Sequence, residues 1–309
     1  MRQALLRIAA ASALCVASFA ATASGINTEG QVMRPTGKGF AVVDMRPQMQ
    51  MDANAVRDAK TAAQIQYHGG AIMNSTSGLN VYVIWYGNWS GNSGTTLVPA
   101  FLNSLGGSAY WNINTTYYDS ASKYIKNIVN YKGSTTDSYS QGTTLSDAKV
   151  FSVVKSAISS GRLPKDANAV YMVLTSKDVN ESSGFCSNYC GWHTSGTYSS
   201  SDIKYAFVGD AARCLTSCAA QSTSPNGNPG VDGMMSVVAH ELEEAATDPD
   251  IDAWYFASGN ENADQCAWTF GTEYTTSNGA KANMNLGGRD WLIQQNWIRA
   301  SSGKCALHL

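Results

Sequence analysis

The amino-acid sequence predicts a single α/β or α+β domain over residues 71–309, with a central mixed sheet and helices packed on it. Two observations carry this. Short runs of β-branched and aromatic residues, bounded by turn residues, alternate with longer stretches whose apolar residues recur at helical spacing. Elements of that kind each have one apolar face to bury, and stacking helices on a shared sheet buries them all in one core. No internal repeat interrupts the pattern.

Each element has its own signal. Leu79–Tyr86 (LNVYVIWY) lies between Gly78 and Gly87 and reads as a largely buried strand. Thr95–Leu105 places Leu97, Val98, Phe101, Leu102 and Leu105 on one helical face, and Gly106-Gly107 ends it. Tyr124–Tyr131 is the second strand candidate. Ser146 is placed to cap a helix running to Ser159, with Val150, Val153, Val154 and Ile158 on its inner face and Gly161 just beyond. Ala169–Thr175 (AVYMVLT) is another buried strand and Tyr205–Val208 a short one. The last helix lies within Val231–Asp252, with Asp232 as its expected N-cap and Pro249 as its stop.

Composition narrows the function classes. The chain has 21 Lys and Arg against 23 Asp and Glu, a formal net charge of -2 and no concentrated basic stripe, which excludes a nucleic-acid partner. Arg2 and Arg7 precede an apolar stretch from Ile8 to Ala21, and Ala21-Thr22-Ala23 is a small-residue cleavage signal. Residues 1–23 are therefore expected to be a signal peptide. Residues 24–70, with weak periodicity, are read as an N-terminal segment, with a pro-region as the alternative. The expected location is secreted, extracellular or periplasmic. Membrane association ends with leader cleavage, since no later segment approaches the ~20 apolar residues a bilayer crossing needs. Cys186, Cys190, Cys214, Cys218, Cys266 and Cys305 remain after cleavage, and an even count in an exported chain favours disulfides over a zinc knuckle, with the pairing open.

The chemistry concentrates in the last helix. His240 and Glu244 are four residues apart, so they project from one helical face and can converge on one ion. Glu241 follows His240 as in the H-E-x-x-H helix of zinc peptidases, with Glu244 standing where the second His would be. Further donors are His193, three residues after Cys190, and either Asp264 or a water, with Glu261 behind Asp264. The expected site is zincin-like around the His240 helix: zinc held by His193, His240, Glu244 and Asp264, with Glu241 as general base. A buried hydrogen-bonded network and a solvated acidic face are the competing readings. Asp248, Asp250 and Asp252 have calcium-like spacing, but Ala253 and Gly259 occupy the positions where an EF-hand loop needs Gly and Glu, so turn formation is expected there. The aromatic clusters Trp85–Trp89 and Trp254–Phe256 are read as core, with stacking on sugars as the alternative.

Several ordered motifs bear a resemblance. They are Val83-Ile84-Trp85-Tyr86-Gly87-Asn88-Trp89, Tyr171 to Val179, Cys190-Gly191-Trp192-His193, Val231-Asp232-Gly233-Met234, His240-Glu241-Leu242, Asp252-Ala253-Trp254-Tyr255, Asp264-Gln265-Cys266 and Asn283-Met284-Asn285. With them the chain resembles the EXORDIUM / PHOSPHATE-INDUCED 1 family, best known from secreted plant cell-wall proteins, and reads as a bacterial member. The resemblance implies an extracellular location and cysteines at all six mature positions. It also aligns His193, His240, Glu241, Glu244 and Asp264 with family positions of the same residue type. It brings no assigned reaction. The functional expectation is therefore a secreted zinc-dependent hydrolase of peptidase type. The alternative is a non-catalytic cell-wall or carbohydrate-associated binding or signalling protein, so the expected partner is a peptide or a cell-wall polysaccharide.

Overall fold

The computed structural model describes residues 34–38 and 64–309. The expected leader, Cys15 within it, and most of the 24–70 segment lie outside the described residues. The remainder is a mixed α/β domain around one five-stranded sheet. Its strands are β1 (Leu79–Tyr86), β2 (Val129–Asp137), β3 (Ala169–Thr175), β4 (Gly191–Tyr198) and β5 (Ser201–Gly209). The spatial order is β2-β1-β3-β5-β4. The first four in that order are mutually parallel, and β4 closes one edge antiparallel to β5. Every residue of β3 is buried, as is all of β1 except Asn80, which explains their unbroken apolar runs: parallel strands at the centre of a sheet are covered on both faces.

The second strand begins five residues later than expected. Tyr118 and Tyr124 form an antiparallel bridge of their own, and Ile125 turns inward to donate to the Tyr117 carbonyl. The edge strand that follows is mostly polar (VNYKGSTTD), so an apolar-run criterion misses it. The β4 strand was not expected at all, because after Gly191, Trp192 and His193 its residues are no longer buried.

Among the described residues, three long helices pack on this frame: α1 (Gly94–Leu105), α2 (Asp147–Ser159) and α3 (Pro229–Thr247). Ser146 caps α2 as expected, accepting from the Lys149 amide at 3.4 Å. The N-cap of α3 is Asn228 in place of Asp232; its side chain accepts from the Val231 amide at 3.2 Å, and Pro229 follows in the first turn. Asp232 sits one turn inside and accepts from Ser224 Oγ and the Asn226 amide. The helix ends at Thr247, before Pro249.

All residues of α3 from Met234 to Thr247 are buried. One side lies on β4 and β5. The other is covered by the C-terminal ribbons; there the Gln294 amide donates to Ser236 Oγ at 3.0 Å, and Asn296 donates to the Glu243 carboxylate. Residues 64–70 belong to this packed body: Ile65 is core, and Gln66–Tyr67 pairs with Trp254–Tyr255. Among the described residues, no helix is long and apolar enough to cross a membrane.

The six cysteines form three disulfides, Cys186–Cys214, Cys190–Cys218 and Cys266–Cys305. Each C-x-x-x-C pair is thus divided between two bridges that join the loop before β4 to the short helix Leu215–Cys218.

At Gly191, the first residue of β4, sheet and helix approach closely. A Cβ there would lie 2.6 Å from Val237 Cγ1 and 2.9 Å from Glu241 Oε1. Only glycine lets α3 sit this deep. Gly191→Ala should therefore force α3 off the strand and destabilise the fold by about 1–3 kcal/mol, measured by chemical denaturation with the disulfides intact. Unchanged stability would mean that helix and strand do not meet this closely.

Candidate metal centre

Four segments deliver the polar groups of the interior. Strand β4 brings His193, three residues beyond the Cys190–Cys218 bridge. Helix α3 brings His240, Glu241 and Glu244. The turn after it brings Asp248, whose Oδ1 accepts the amides of Asp252 and Ala253 at 2.6 Å each and so fixes the chain reversal, the turn-forming role expected of these acids. The loop before Cys266 brings Glu261 and Asp264, and the Cys266–Cys305 bridge ties it to the last ribbon.

The structure brings His193, His240, Glu241, Glu244 and Asp264 into one nest. His240 Nε2 lies 3.0 Å from Glu244 Oε1 and 3.3 Å from Asp264 Oδ1. His193 Nδ1 lies 3.4 Å from Glu241 Oε2 and 3.5 Å from Glu244 Oε2, and its Nε2 lies 3.5 Å from Glu261 Oε1 and 3.2 Å from the Asp248 carbonyl. The expected spacing of His240 and Glu244 on one face is present, and both imidazoles reach the same Glu244 carboxylate. Glu241 stands beside His193. Two further residues contribute. Glu261 was seen only as a neighbour of Asp264. Gln294 gave no signal, because it lies in an ordinary polar stretch 54 residues from the histidine it touches.

Gln294 Nε2 lies 2.8 Å from both His240 Nδ1 and the Ala263 carbonyl, while its Oε1 has no hydrogen-bond partner. With the amide oriented this way, a neutral His240 ring accepts at Nδ1 and carries its proton on Nε2 toward Glu244, whereas the charged ring needs the amide oxygen at Nδ1. A cation at Nε2 shifts that proton to Nδ1 and requires the amide to present its oxygen instead.

The side chains of His193, His240, Glu241, Glu244 and Glu261 are 0–1% exposed, and Asp264 is the part nearest solvent at 8%. Both oxygens of Glu241 and of Glu261, Glu244 Oε2 and His193 Nδ1 lack hydrogen-bond partners. Among the described residues, no Lys or Arg pairs with any of these four carboxylates. Burial drives Glu241 up to about 7, partly offset by the adjacent His193 and His240. Burial likewise raises Asp248 to about 7 and moves Glu261 and Asp264 upward. Burial also acts against Glu244, but the His240 charge and the close approach of both imidazoles outweigh it and hold Glu244 at about 2. Burial opposes the charging of both imidazoles. The carboxylates around them, led by Glu261 for His193 and Glu244 for His240, override it and raise both well above 6.5.

Other candidates resolve differently. Glu243 is also buried but lies outside the nest, where Asn296 donates to its carboxylate. Trp85, Tyr86, Trp89, Trp254, Tyr255 and Phe256 are all buried, so the aromatic clusters are core. The cysteines are spent on disulfides, which removes the zinc-knuckle alternative.

A model of the phosphate-induced protein 1 conserved region matches residues 65–285, the larger part of the chain and all of the nest except Gln294. The chain belongs to the phosphate-induced protein 1 family. Protein EXORDIUM-like 5 of Arabidopsis thaliana is 33% identical over 283 residues, 77% of each chain. Protein EXORDIUM-like 3 of the same plant is 32% identical over 301 residues, 84% of this chain and 86% of its own. Protein PHOSPHATE-INDUCED 1 of Nicotiana tabacum is 29% identical over 224 residues, 62% of this chain and 67% of its own. These phosphate-induced protein 1 relatives are plant proteins and do not bear out the expectation of a bacterial chain. No solved structure matches.

With no ion bound, the nest gives this family member a definite pH response. Carboxyls raised in the fold, Glu241, Asp248, Glu261 and Asp264, hold protons that the unfolded chain has already released, so stability falls as pH rises through that interval. The raised histidines contribute stability that is complete below pH 6.5 and lost as pH rises through their folded values. Glu244 contributes above its ordinary 4.5 and loses that contribution only as pH falls toward about 2. The Tm of chelator-treated protein should therefore fall between about pH 5 and about pH 8, and zinc should reverse or flatten the trend because metal replaces the protons. A chelated Tm that rises over this range would contradict the assignment.

Proposed function

We propose that the protein is an exported, zincin-like metalloprotein, a zinc-dependent hydrolase of peptidase type. One observation carries the reading: buried carboxylate oxygens without hydrogen-bond donors, both of Glu241 and of Glu261 and one each of Glu244 and Asp264, converge on two imidazoles in an interior with no Lys or Arg among the described residues to balance them. Nitrogen and oxygen donors in this number suit zinc. His240, Glu244 and Asp264 would hold the ion, with His193 on the far side of Glu244. When bound, zinc supplies Lewis-acid polarisation and an acidified water.

The chain's own groups do the rest. Glu241, with its carboxyl near 7, takes a proton at one oxygen and returns it to the leaving amine. Gln294 sets the rotation of the His240 ring, and the covering ribbons exclude bulk water. Asp264, the most exposed member, marks the side from which a peptide would approach. Export follows from the leader over residues 1–23, and the three disulfides accord with an oxidising compartment. A pro-region within residues 24–70 would end before Gln64, because Ile65 is core and Gln66–Tyr67 is paired.

A specific observation favours a second reading. The nest is enclosed, and closed zinc sites are characteristically structural. The protein would then be a non-catalytic cell-wall or carbohydrate-associated module, with a peptide or polysaccharide as partner.

The two readings separate on one variant. Protein purified without chelator should contain zinc, and Glu241→Gln should keep the metal while turnover of a peptide substrate falls about 100-fold or more, the scale of a lost general base. His240→Ala should lose both. Zinc retained in Glu241→Gln, with no turnover in the native chain either, selects the structural ion. A native protein free of zinc rejects the centre altogether.

A further inference from the structure

We infer that the nest is a two-cation centre, in which Glu244 bridges a first ion held with His240 and Asp264 and a second ion held with His193 and Glu261. This rests on reading the nest as a metal centre and adds a site with its own ligand set.

The geometry separates into two triads. In one, ligand atoms of His240, Glu244 and Asp264 lie within 4.8 Å of one another; in the other, those of His193, Glu244 and Glu261 do. Glu244 is the shared member and uses different oxygens: Oε1 faces His240 Nε2 at 3.0 Å, and Oε2 faces His193 Nδ1 at 3.5 Å. Each imidazole also has a carboxylate of its own: Asp264 lies 3.3 Å from the same His240 Nε2 that faces Glu244, and Glu261 lies 3.5 Å from His193 Nε2, the other ring nitrogen from the one that faces Glu244. A single tetrahedral ion has only four places and cannot take both rings with donors on opposite sides of one carboxylate. Two ions bridged by that carboxylate, about 3.5–4 Å apart, can.

The second triad stands on its own evidence. Glu261 is fully buried, and neither of its oxygens has a hydrogen-bond partner; the same holds for His193 Nδ1 and Glu244 Oε2. An ion confined to His240, Glu244 and Asp264 would leave all of these facing one another. The second site, like the first, offers one nitrogen and two carboxylates, and the Asp248 carbonyl hydrogen-bonds to His193 Nε2 at 3.2 Å. That chemistry suits zinc or manganese. Glu241, beside His193 Nδ1, then acts next to the second ion, where it is placed to orient that ring.

The test is metal stoichiometry on the full exported chain, dialysed against chelator and reloaded with zinc. Two zinc ions per chain are expected, falling to one in Glu261→Gln and to one in His193→Ala. One ion in the native chain, unchanged by Glu261→Gln, overturns the second site and leaves the first intact. No ion at all overturns both. Reloading the native chain with manganese decides the matter without a variant: a spin-coupled pair in electron paramagnetic resonance is expected, and two uncoupled manganese signals, or one, would overturn the bridge.

Discussion

Four carboxylates and two imidazoles share a space from which water is excluded, and the architecture around them is arranged against their repulsion. At an effective dielectric of about 20, two like charges 4 Å apart repel by about 4 kcal/mol, and a whole domain is stable by only about 5–15 kcal/mol. Glu241, Glu244, Glu261 and Asp264 therefore cannot all be ionised inside the fold unless positive charge lies between them. Protons can supply it at low pH, as the upward shifts of Glu241, Glu261 and Asp264 indicate. Near neutrality divalent cations can do so more strongly, because each lies within reach of several oxygens at once.

The rest of the fold holds these groups against that tendency to separate. Gly191 lets α3 settle on β4, which sets Glu241 beside His193. The Cys190–Cys218 bridge anchors the start of the same strand, and Cys266–Cys305 fixes the loop that carries Asp264. The free edge of β4 is covered by the chain itself: the His193 amide donates to the Gly37 carbonyl at 3.0 Å, and Lys38 reaches Asp147 and Ser183. A Cβ at Gly37 would fall 2.1 Å from the His193 carbonyl, so this close apposition requires glycine. The strand that carries one half of the nest is thereby held on both edges.

What the sequence made legible follows from how local each signal is. Leu79–Tyr86 and Ala169–Thr175 announce themselves because central parallel strands are apolar on both faces. The His240–Glu244 pair is a property of a single helix, and His193 was suggested by its nearness to a cysteine. By contrast β2 is a polar edge strand, and most of β4 is also polar, so neither carries an apolar run. The cap of α3 was misplaced by four residues because Asp232 and Asn228 are both good caps and only the position of Pro229 separates them. Glu261 and Gln294 become part of the nest through tertiary folding alone, and no spacing rule links them to His240. The division of one carboxylate between two imidazoles is likewise invisible until the atoms are placed.

That dependence on tertiary structure bears on how such a centre can arise. Successive helical residues are turned by about 100°, so His240 and Glu244 share a face that Glu241 does not. In this fold Glu241 is set beside His193, away from His240 Nε2. Strand β4 meets Glu241 from one side and the loop before Cys266 meets His240 from the other, and Glu244 lies where the two approaches overlap. The donors come from separate segments, two of them braced by disulfides to other parts of the fold, so an unfolded chain presents no comparable set. If the nest takes up cations as proposed, binding and folding are linked, each strengthening the other.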